Sequence, residues 1–206
     1  MVAYLIFGVT FAFAAAVQPG PLQTYLISQT LSNGWRRTLP AAVSPLVSDG
    51  PIIVLALFVL SHLPLWLVQM LRCAGGVFLI YLATCAYKTW RTYQGTRADT
   101  PGTSRQSLLR ASVINLLNPN PYLGWSLVMG PLLLKGWRET PANGIALVVA
   151  FYTTIIVCQA GIIMLFAGAG NLGPRAGRFL VGLSAIALAC FGCYQLWSGL
   201  KGMLSL

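Results

Sequence analysis

The chain has 206 residues, of which 57% are hydrophobic and 8% are charged, with three acidic side chains against thirteen lysines and arginines. A soluble domain of this size carries about 25% charged residues, because its surface faces water. This balance predicts an integral membrane protein and excludes soluble enzymes, nucleic-acid-binding domains and disordered chains. The net charge of +10 is explained by basic residues in short loops, so we expect a lipid bilayer and no nucleic acid as partner.

Six apolar runs follow one another along the chain, and a spanning helix needs about 20 apolar residues. The runs cover residues 2–31, 39–61, 63–87, 108–134, 142–166 and 179–203. They predict an all-α integral membrane protein with six transmembrane helices. Nine lysines and arginines follow runs 1, 3 and 5, against three on the opposite side, so both termini are predicted to lie outside.

A polar stretch rich in glycine, proline and threonine separates two groups of three runs. We interpret residues 1–93 as a first three-helix unit, 94–105 as a cytoplasmic linker and 106–206 as a second three-helix unit. An odd number of helices in each unit places the second copy upside down in the membrane. The pattern therefore predicts two inverted three-helix repeats.

Two Pro-x-Pro strings occupy corresponding places in the two units, 100 residues apart. They are Gln18-Pro19-Gly20-Pro21 and Asn118-Pro119-Asn120-Pro121. Proline lacks an N–H and kinks or breaks a helix, so helices 1 and 4 are predicted to break at these strings. Interrupted helices at corresponding positions of two repeats are typical of a transporter binding site.

The backbone and amide groups at the two breaks are the predicted substrate-binding groups. Half-helix N-termini favour a carboxylate and C-terminal carbonyls favour an ammonium group, which together suit a zwitterion. The expected substrate-binding residues are Gln18, Pro19, Gly20, Pro21, Asn115, Asn118, Pro119, Asn120 and Pro121. The alternative is a pair of packing kinks whose amides only cap loose carbonyls.

Asp49 lies near the middle of the second run, with Ser44 and Ser48 close in sequence. An aspartate at the bilayer centre costs about 2.5–3.5 kcal/mol on insertion scales, so an intramembrane acid predicts function. We expect Asp49 to carry or balance a proton during transport. The alternative is a structural ion pair with Arg72 in the third run. Tyr81 in the same run is a further candidate for the translocation path.

Two other functions remain open at this stage. Cys190 and Cys193 have the spacing of a redox pair within an apolar run, which allows a membrane thiol-disulfide or electron-transfer protein. A metal-ion exporter is the other alternative, although one intramembrane acid and one loop histidine are poor cation ligands. We expect no metal and no cofactor. Small residues near Gly182 and Gly192 permit close helix packing, within a protomer or in a homodimer.

Four features in this order resemble the LysE/RhtB family of amino-acid exporters over nearly the whole chain. They are Pro19-Gly20-Pro21, Asp49, Gly75-Gly76 followed by Tyr81-Leu82, and Asn115-Leu116-Leu117-Asn118-Pro119. The resemblance implies a bacterial inner-membrane exporter of amino acids or similar small metabolites, driven by the proton gradient, with its pathway around the broken helices and Asp49. Asn120 stands where members of the family usually have lysine.

Together these features predict a secondary transporter rather than an enzyme. It is expected to export its small-molecule substrate by alternating access, with the two repeats moving around a central site and Asp49 coupling the movement to protons.

Overall fold

A computed structural model describes residues 1–18, 20–58, 65–92, 103–169 and 174–204, and within these ranges the protein is helical, with no strand. The helices are α1 (Val2–Val17), α2 (Pro21–Asn33), α3 (Trp35–Thr38), α4 (Ser44–Phe58), α5 (Leu65–Thr92), α6 (Ser104–Leu116), α7 (Pro119–Gly124), α8 (Gly130–Glu139), α9 (Pro141–Ala169) and α10 (Pro174–Leu204). A 3₁₀ turn, Leu39–Val43, joins α3 to α4, and a π-helical turn, Trp125–Met129, joins α7 to α8.

Several of these helices are long and apolar enough to cross a membrane. Among the described residues, four unbroken stretches qualify: Trp35–Ala56, Gln69–Arg91, Pro141–Gly168 and Val181–Leu204. A fifth span is formed if α1 and α2, whose axes meet at 64°, are counted as one. The chain is therefore a multi-pass membrane protein. The stretch that contains the predicted fourth span is divided among α6, α7 and α8, so the six-span arrangement stays a prediction.

Local sequence explains where the shorter helices begin. Prolines occupy the first turns of α2 and α7, where a missing N–H breaks no helical hydrogen bond. Thr103 caps α6 by accepting a hydrogen bond from the Gln106 N–H at 3.3 Å. Gly34, with φ of 82°, turns the chain between α2 and α3 in a conformation that favours glycine.

The longest helix pair, α5 and α10, packs along its length through glycines. A Cβ atom on Gly76 would lie 2.7 Å from Leu196 Cγ and 2.8 Å from the Gly192 carbonyl oxygen. A Cβ atom on Gly182 would lie 2.8 Å from Trp90 Nε1. Gly182 and Gly192, the small residues predicted to allow close packing, therefore serve contacts within the protomer.

Two apolar clusters form the interior. One joins α2, α5, α6 and α10 and includes Tyr25, Leu26 and Ile114, which are all buried. The other joins α1, α4, α7 and α9 and includes Ile52 and Leu147. In the second group α1 packs on α9 and α4 packs on α7, and α4 also packs on α6 of the first group. Polar side chains of α4, α6 and α9 meet beside the second group.

Candidate functional site

The first interruption lies between α1, which ends at Val17, and α2, which begins at Pro21. Helix ends leave backbone carbonyls without intrahelical partners. Gln23 on α2 reaches back and donates from Nε2 to the carbonyls of Ala15 and Ala16, at 3.3 Å each. Capping here is thus done by Gln23, whereas Gln18 is exposed. Pro19 lies outside the described residues.

The second interruption lies between α6, which ends at Leu116, and α7, which begins at Pro119. Asn118 caps α7 by accepting a hydrogen bond from the Asn120 N–H at 3.1 Å. The Tyr122 hydroxyl donates to the Leu116 carbonyl at 3.0 Å. The last carbonyl of α6 therefore has a side-chain partner, and Pro119 is buried behind the turn.

The Asp49 carboxylate lies between these two interruptions and is 2% exposed. Its Oδ1 accepts a hydrogen bond from Asn115 Nδ2 at 2.9 Å. Its Oδ2 accepts from Trp125 Nε1 and from the Tyr152 hydroxyl, each at 3.3 Å. A buried carboxylate needs such donors, because isolated charge in an apolar interior is very costly. Helices α4, α6 and α9 and the π-helical turn therefore all contribute to this site.

Asn115 is held in place by a second contact. Its Nδ2 also donates to Ser48 Oγ at 2.7 Å, and Ser48 Oγ donates to the Ser44 carbonyl at 2.8 Å. Asn115 and Ser48 are both buried. The amide of Asn115 thus connects the end of α6 to two consecutive side chains of α4.

The ion pair between Asp49 and Arg72 is not formed. Arg72 Nη1 on α5 donates instead to Ser198 Oγ on α10, at 2.6 Å. Every hydrogen-bond partner of the Asp49 carboxylate in the described part of the chain is a neutral group. The alternative interpretation of Asp49 as half of a structural salt bridge therefore has no support here.

A cavity of about 170 Å³, called the first cavity below, borders Asp49. The predicted site residues that line it are Gln18, Gly20, Asp49, Asn115, Asn118, Asn120 and Pro121. Pro21 and Pro119 are buried at the first turns of α2 and α7 and do not line it. The two interruptions and the intramembrane acid, three features far apart in sequence, thus meet at one cavity.

Tyr81 lies elsewhere. Its side chain is 53% exposed on α5, stacks on Phe78 with ring centroids 6.2 Å apart, and does not line the first cavity. Cys190 and Cys193 are exposed free cysteines on α10 and do not line it either. The structure therefore does not bring these three residues to Asp49.

Trp125, Tyr152 and Gln159 also belong to this site, although their spacing in the sequence does not assign them to it. Trp125 is 2% exposed and bonds Asp49; its place one helical turn after Pro121 is the signal that assigns it to the break. Gln159 lines the first cavity and is 1% exposed, and its Oε1 accepts no hydrogen bond from the described residues. Gln159 is an isolated polar residue in an apolar helix. The sequence therefore indicates a polar group within the membrane, but not which cavity it lines.

Chemically, the first cavity offers a carboxylate, several amides and apolar walls. Phe11, Phe151 and Ile155 supply apolar surface, and the amides can donate to or accept from a small polar ligand. Concave sites with apolar walls and a few placed polar groups are typical of small-molecule binding. The described residues of the first cavity thus suit a small ligand with both polar and apolar parts.

A known protein family matches the chain over most of its length. The family model described as LysE type translocator matches residues 13–199, which is most of the chain. Neither a curated protein nor a solved structure matches the chain. Members of the family are transporters rather than enzymes, and their substrates are amino acids or similar small molecules. The chain belongs to the LysE-type translocator family and is a multi-pass membrane exporter.

Proposed function

We propose that the first cavity is the substrate site of a proton-coupled exporter of amino acids or similar small metabolites, and that Asp49 carries or balances the proton. The observation that carries this proposal is a buried carboxylate, bonded to neutral donors, at the edge of a cavity between two interrupted helices. Such an acid takes up and releases a proton without breaking a salt bridge.

Neutral partners favour this role over a structural one. Asn115, Trp125 and Tyr152 stabilise the ionised carboxylate by donation, while burial penalises its charge. A cation beside the acid would hold it ionised throughout the cycle. Here hydrogen-bond donors favour the ionised carboxylate and burial opposes it. Such an acid can therefore bind a proton when the cavity opens to one side of the membrane and release it when the cavity opens to the other.

Helix pairing supports alternating access between two inverted repeats, residues 1–93 and 106–206 joined by the linker 94–105. In the proposed repeats α1 corresponds to α6, and α4 corresponds to α9. The α1–α9 contact therefore corresponds to a contact between α6 and α4, and both contacts are present. The same exchange maps the α5–α10 contact onto itself. Two repeats related by a two-fold exchange are expected to pair in this way, which supports a movement of the two units around the cavity between them.

The orientation we propose has both termini on the periplasmic side of a bacterial inner membrane. Support comes from the nine lysines and arginines on one side of the predicted spans against three on the other. Substrate then enters from the positively charged, cytoplasmic side and leaves toward the termini. A homodimer is compatible with this arrangement, but export requires only one protomer in our proposal.

The test is flux in proteoliposomes under an imposed pH gradient, with a mixed amino-acid pool read by mass spectrometry. Native protein is expected to move a subset of the amino acids only when the pH gradient is present. Asp49→Asn is expected to lose at least about 99% of that flux, because asparagine cannot take up or release the proton that couples transport to the gradient. Asp49→Glu is expected to retain part of it.

Glu139→Gln is the matched control. Glu139 accepts a hydrogen bond from Tyr4 at 3.0 Å, away from the first cavity, so the same loss of an acid there is expected to leave coupling intact. Normal flux with normal pH dependence in Asp49→Asn would falsify the coupling role. Gradient-independent flux in the native protein would contradict proton coupling but not export.

A further inference from the structure

A second cavity, of about 350 Å³, lies between α2, α5, α6 and α10, and polar side chains of α2, α5 and α6 form part of its lining. Ser28 and Ser32 on α2 line it while being only 5% and 7% exposed. Gln29 and Asn33, bonded to each other, add amides from the next face of the same helix. Hydroxyls and amides beside open volume can donate to and accept from a small molecule, so this cavity is suited to a polar occupant.

The charges at the second cavity are positive. Lys88 from α5 and Arg110 from α6 line it, and no acidic side chain does so among the described residues. The Arg110 guanidinium is close enough to Tyr25, on the cavity wall, to interact with it electrostatically. Two described acids lie elsewhere, Asp49 at the first cavity and Glu139 beside Tyr4. Cations converging with buried hydroxyls form a site for an oxyanion.

The two cavities are in series along two helices. On α2, Gln23 lines the first cavity and Ser28 the second; on α6, Asn115 lines the first and Arg110 the second. Each pair is five residues apart, or about 8 Å along a helix axis. Both helices therefore contribute to the lining of both cavities.

Buried apolar side chains lie on both helices close to these lining residues. Leu26 on α2 comes between Gln23 and Ser28, and Ile114 on α6 comes between Arg110 and Asn115. Both belong to one apolar cluster and are buried, at 0% and 3% exposure.

We propose that the second cavity is an entry site that binds the carboxylate of the exported substrate, with Arg110 as the main anion-binding group, before the substrate passes to the cavity beside Asp49. The assignment of the anion as substrate, and of this side as the entrance, rests on the proposed function. It explains why two basic side chains converge on buried serines on the side predicted to be cytoplasmic. It also assigns the buried side chains of Leu26 and Ile114 as a barrier between the two sites.

Cys85, which lines the second cavity, is a built-in reporter for the test. In a variant that keeps Cys85 and has alanine at the other four cysteines, the labelling rate is measured with an anionic and with a cationic methanethiosulfonate. The anionic-to-cationic rate ratio is expected to exceed that of a small free thiol by about tenfold or more, because a positive cleft concentrates anions. The ratio is independent of how much of the thiol is ionised, since both reagents use the same thiolate.

Arg110→Gln is expected to lower this ratio by about fivefold or more. Arg105→Gln is the matched control, because Arg105 is an exposed arginine on the same helix that does not line the second cavity, and it is expected to leave the ratio unchanged. Butyrate is expected to slow anionic labelling of Cys85, and its neutral analogue butyramide is not.

Several outcomes would overturn the proposal. They are no labelling by either reagent, equal ratios in Arg110→Gln and Arg105→Gln, and protection by phosphatidylglycerol but not by butyrate, which would identify a lipid phosphate as the occupant. Protection by butyrate that appears only in Asp99→Asn would identify this chain's own carboxylate as the occupant and overturn it as well. Cys85 labelling does not depend on transport, so the two proposals fail separately. If the labelling results are as expected but Asp49→Asn has unaltered flux, the coupling role of Asp49 is contradicted and the binding of anions at the second cavity is not.

Discussion

Asp49 on α4 and Arg72 on α5 are charged side chains of two different regions, and the structure holds them in opposite ways. Asp49 borders a cavity and is bonded by three neutral donors from different helices. Arg72 lies in the α5–α10 interface and is bonded to Ser198 across it, where glycines bring the two helices together. Open volume beside the acid gives a ligand and a proton access to it, whereas dense packing leaves the arginine only a role in joining two helices.

The comparison gives a criterion for reading buried polar residues in such a bundle. In hydrocarbon, polar side chains join helices by hydrogen bonds, and small residues allow the close approach this needs. The α5–α10 interface meets both conditions, since a Cβ on Gly199 would lie 2.6 Å from Cys73 Sγ. The Asp49 region instead keeps room beside its polar groups. A buried polar residue therefore indicates function when free volume accompanies it.

The largest effect we expect comes from closing the space between α5 and α10. Gly76→Leu adds a side chain where a single Cβ already meets the Gly192 carbonyl at 2.8 Å, and overpacking of a well-packed interface costs about 1–3 kcal/mol or more. The variant is expected to lose its monodisperse peak in size-exclusion chromatography or to melt far below the native protein.

Gly161→Leu is the control for this change, because a Cβ on Gly161 meets nothing within 4 Å and the residue is exposed on α9. It is expected to behave as the native protein does. A native melting temperature for Gly76→Leu would contradict the close α5–α10 contact and remove the basis of the comparison.

A smaller effect is expected from removing single donors to the acid. Tyr152→Phe and Trp125→Phe each delete one hydrogen bond to Asp49 Oδ2, which destabilises the ionised carboxylate relative to the neutral acid. Flux is expected to fall by about tenfold, the scale of one hydrogen bond to a charged group. The dependence of flux on external pH is also expected to change, because both donors act on the ionised form of the acid.

Initial rates in proteoliposomes over a series of external pH values measure both quantities. Tyr194→Phe, at a tyrosine that is 69% exposed on α10, controls for the loss of a hydroxyl elsewhere. If neither donor variant changes the rate or the pH profile, the hydrogen bonds to Oδ2 have no part in transport.

The smallest effect we expect on transport belongs to the other region. Arg72→Met removes the bond to Ser198, so it is expected to lower thermal stability by about 1–3 kcal/mol while proton coupling stays native. A double-mutant cycle with Ser198→Ala in thermal melts measures the pairwise energy, and each single variant is expected to account for most of the loss. Loss of gradient-driven flux in Arg72→Met would show instead that the two regions act together.

The sequence by itself determined the class of the molecule and the chemistry of its interruptions. A chain with few charges and long apolar runs is stable only in a bilayer, and this can be read from each run by itself. A proline interrupts its own helix through its missing N–H, which is also a local effect. The residues of the Pro-x-Pro strings and Asp49 were identified in this way, and the family was recognised from their order. Six spans and the inverted repeats remain predictions from the same pattern.

Only the tertiary structure decided which polar groups meet. Hydropathy identifies a span but not its rotation or its neighbours, because lipid and protein interior are both apolar. Trp125 and Tyr152 therefore gave no signal that they bond an acid 76 and 103 residues away, and Arg72, one helix from Asp49 in sequence, turned out to bond Ser198 instead. Glycine contacts and interhelical hydrogen bonds set the rotation and packing of the helices. These tertiary contacts determine which side chains meet, and no local sequence pattern predicts them.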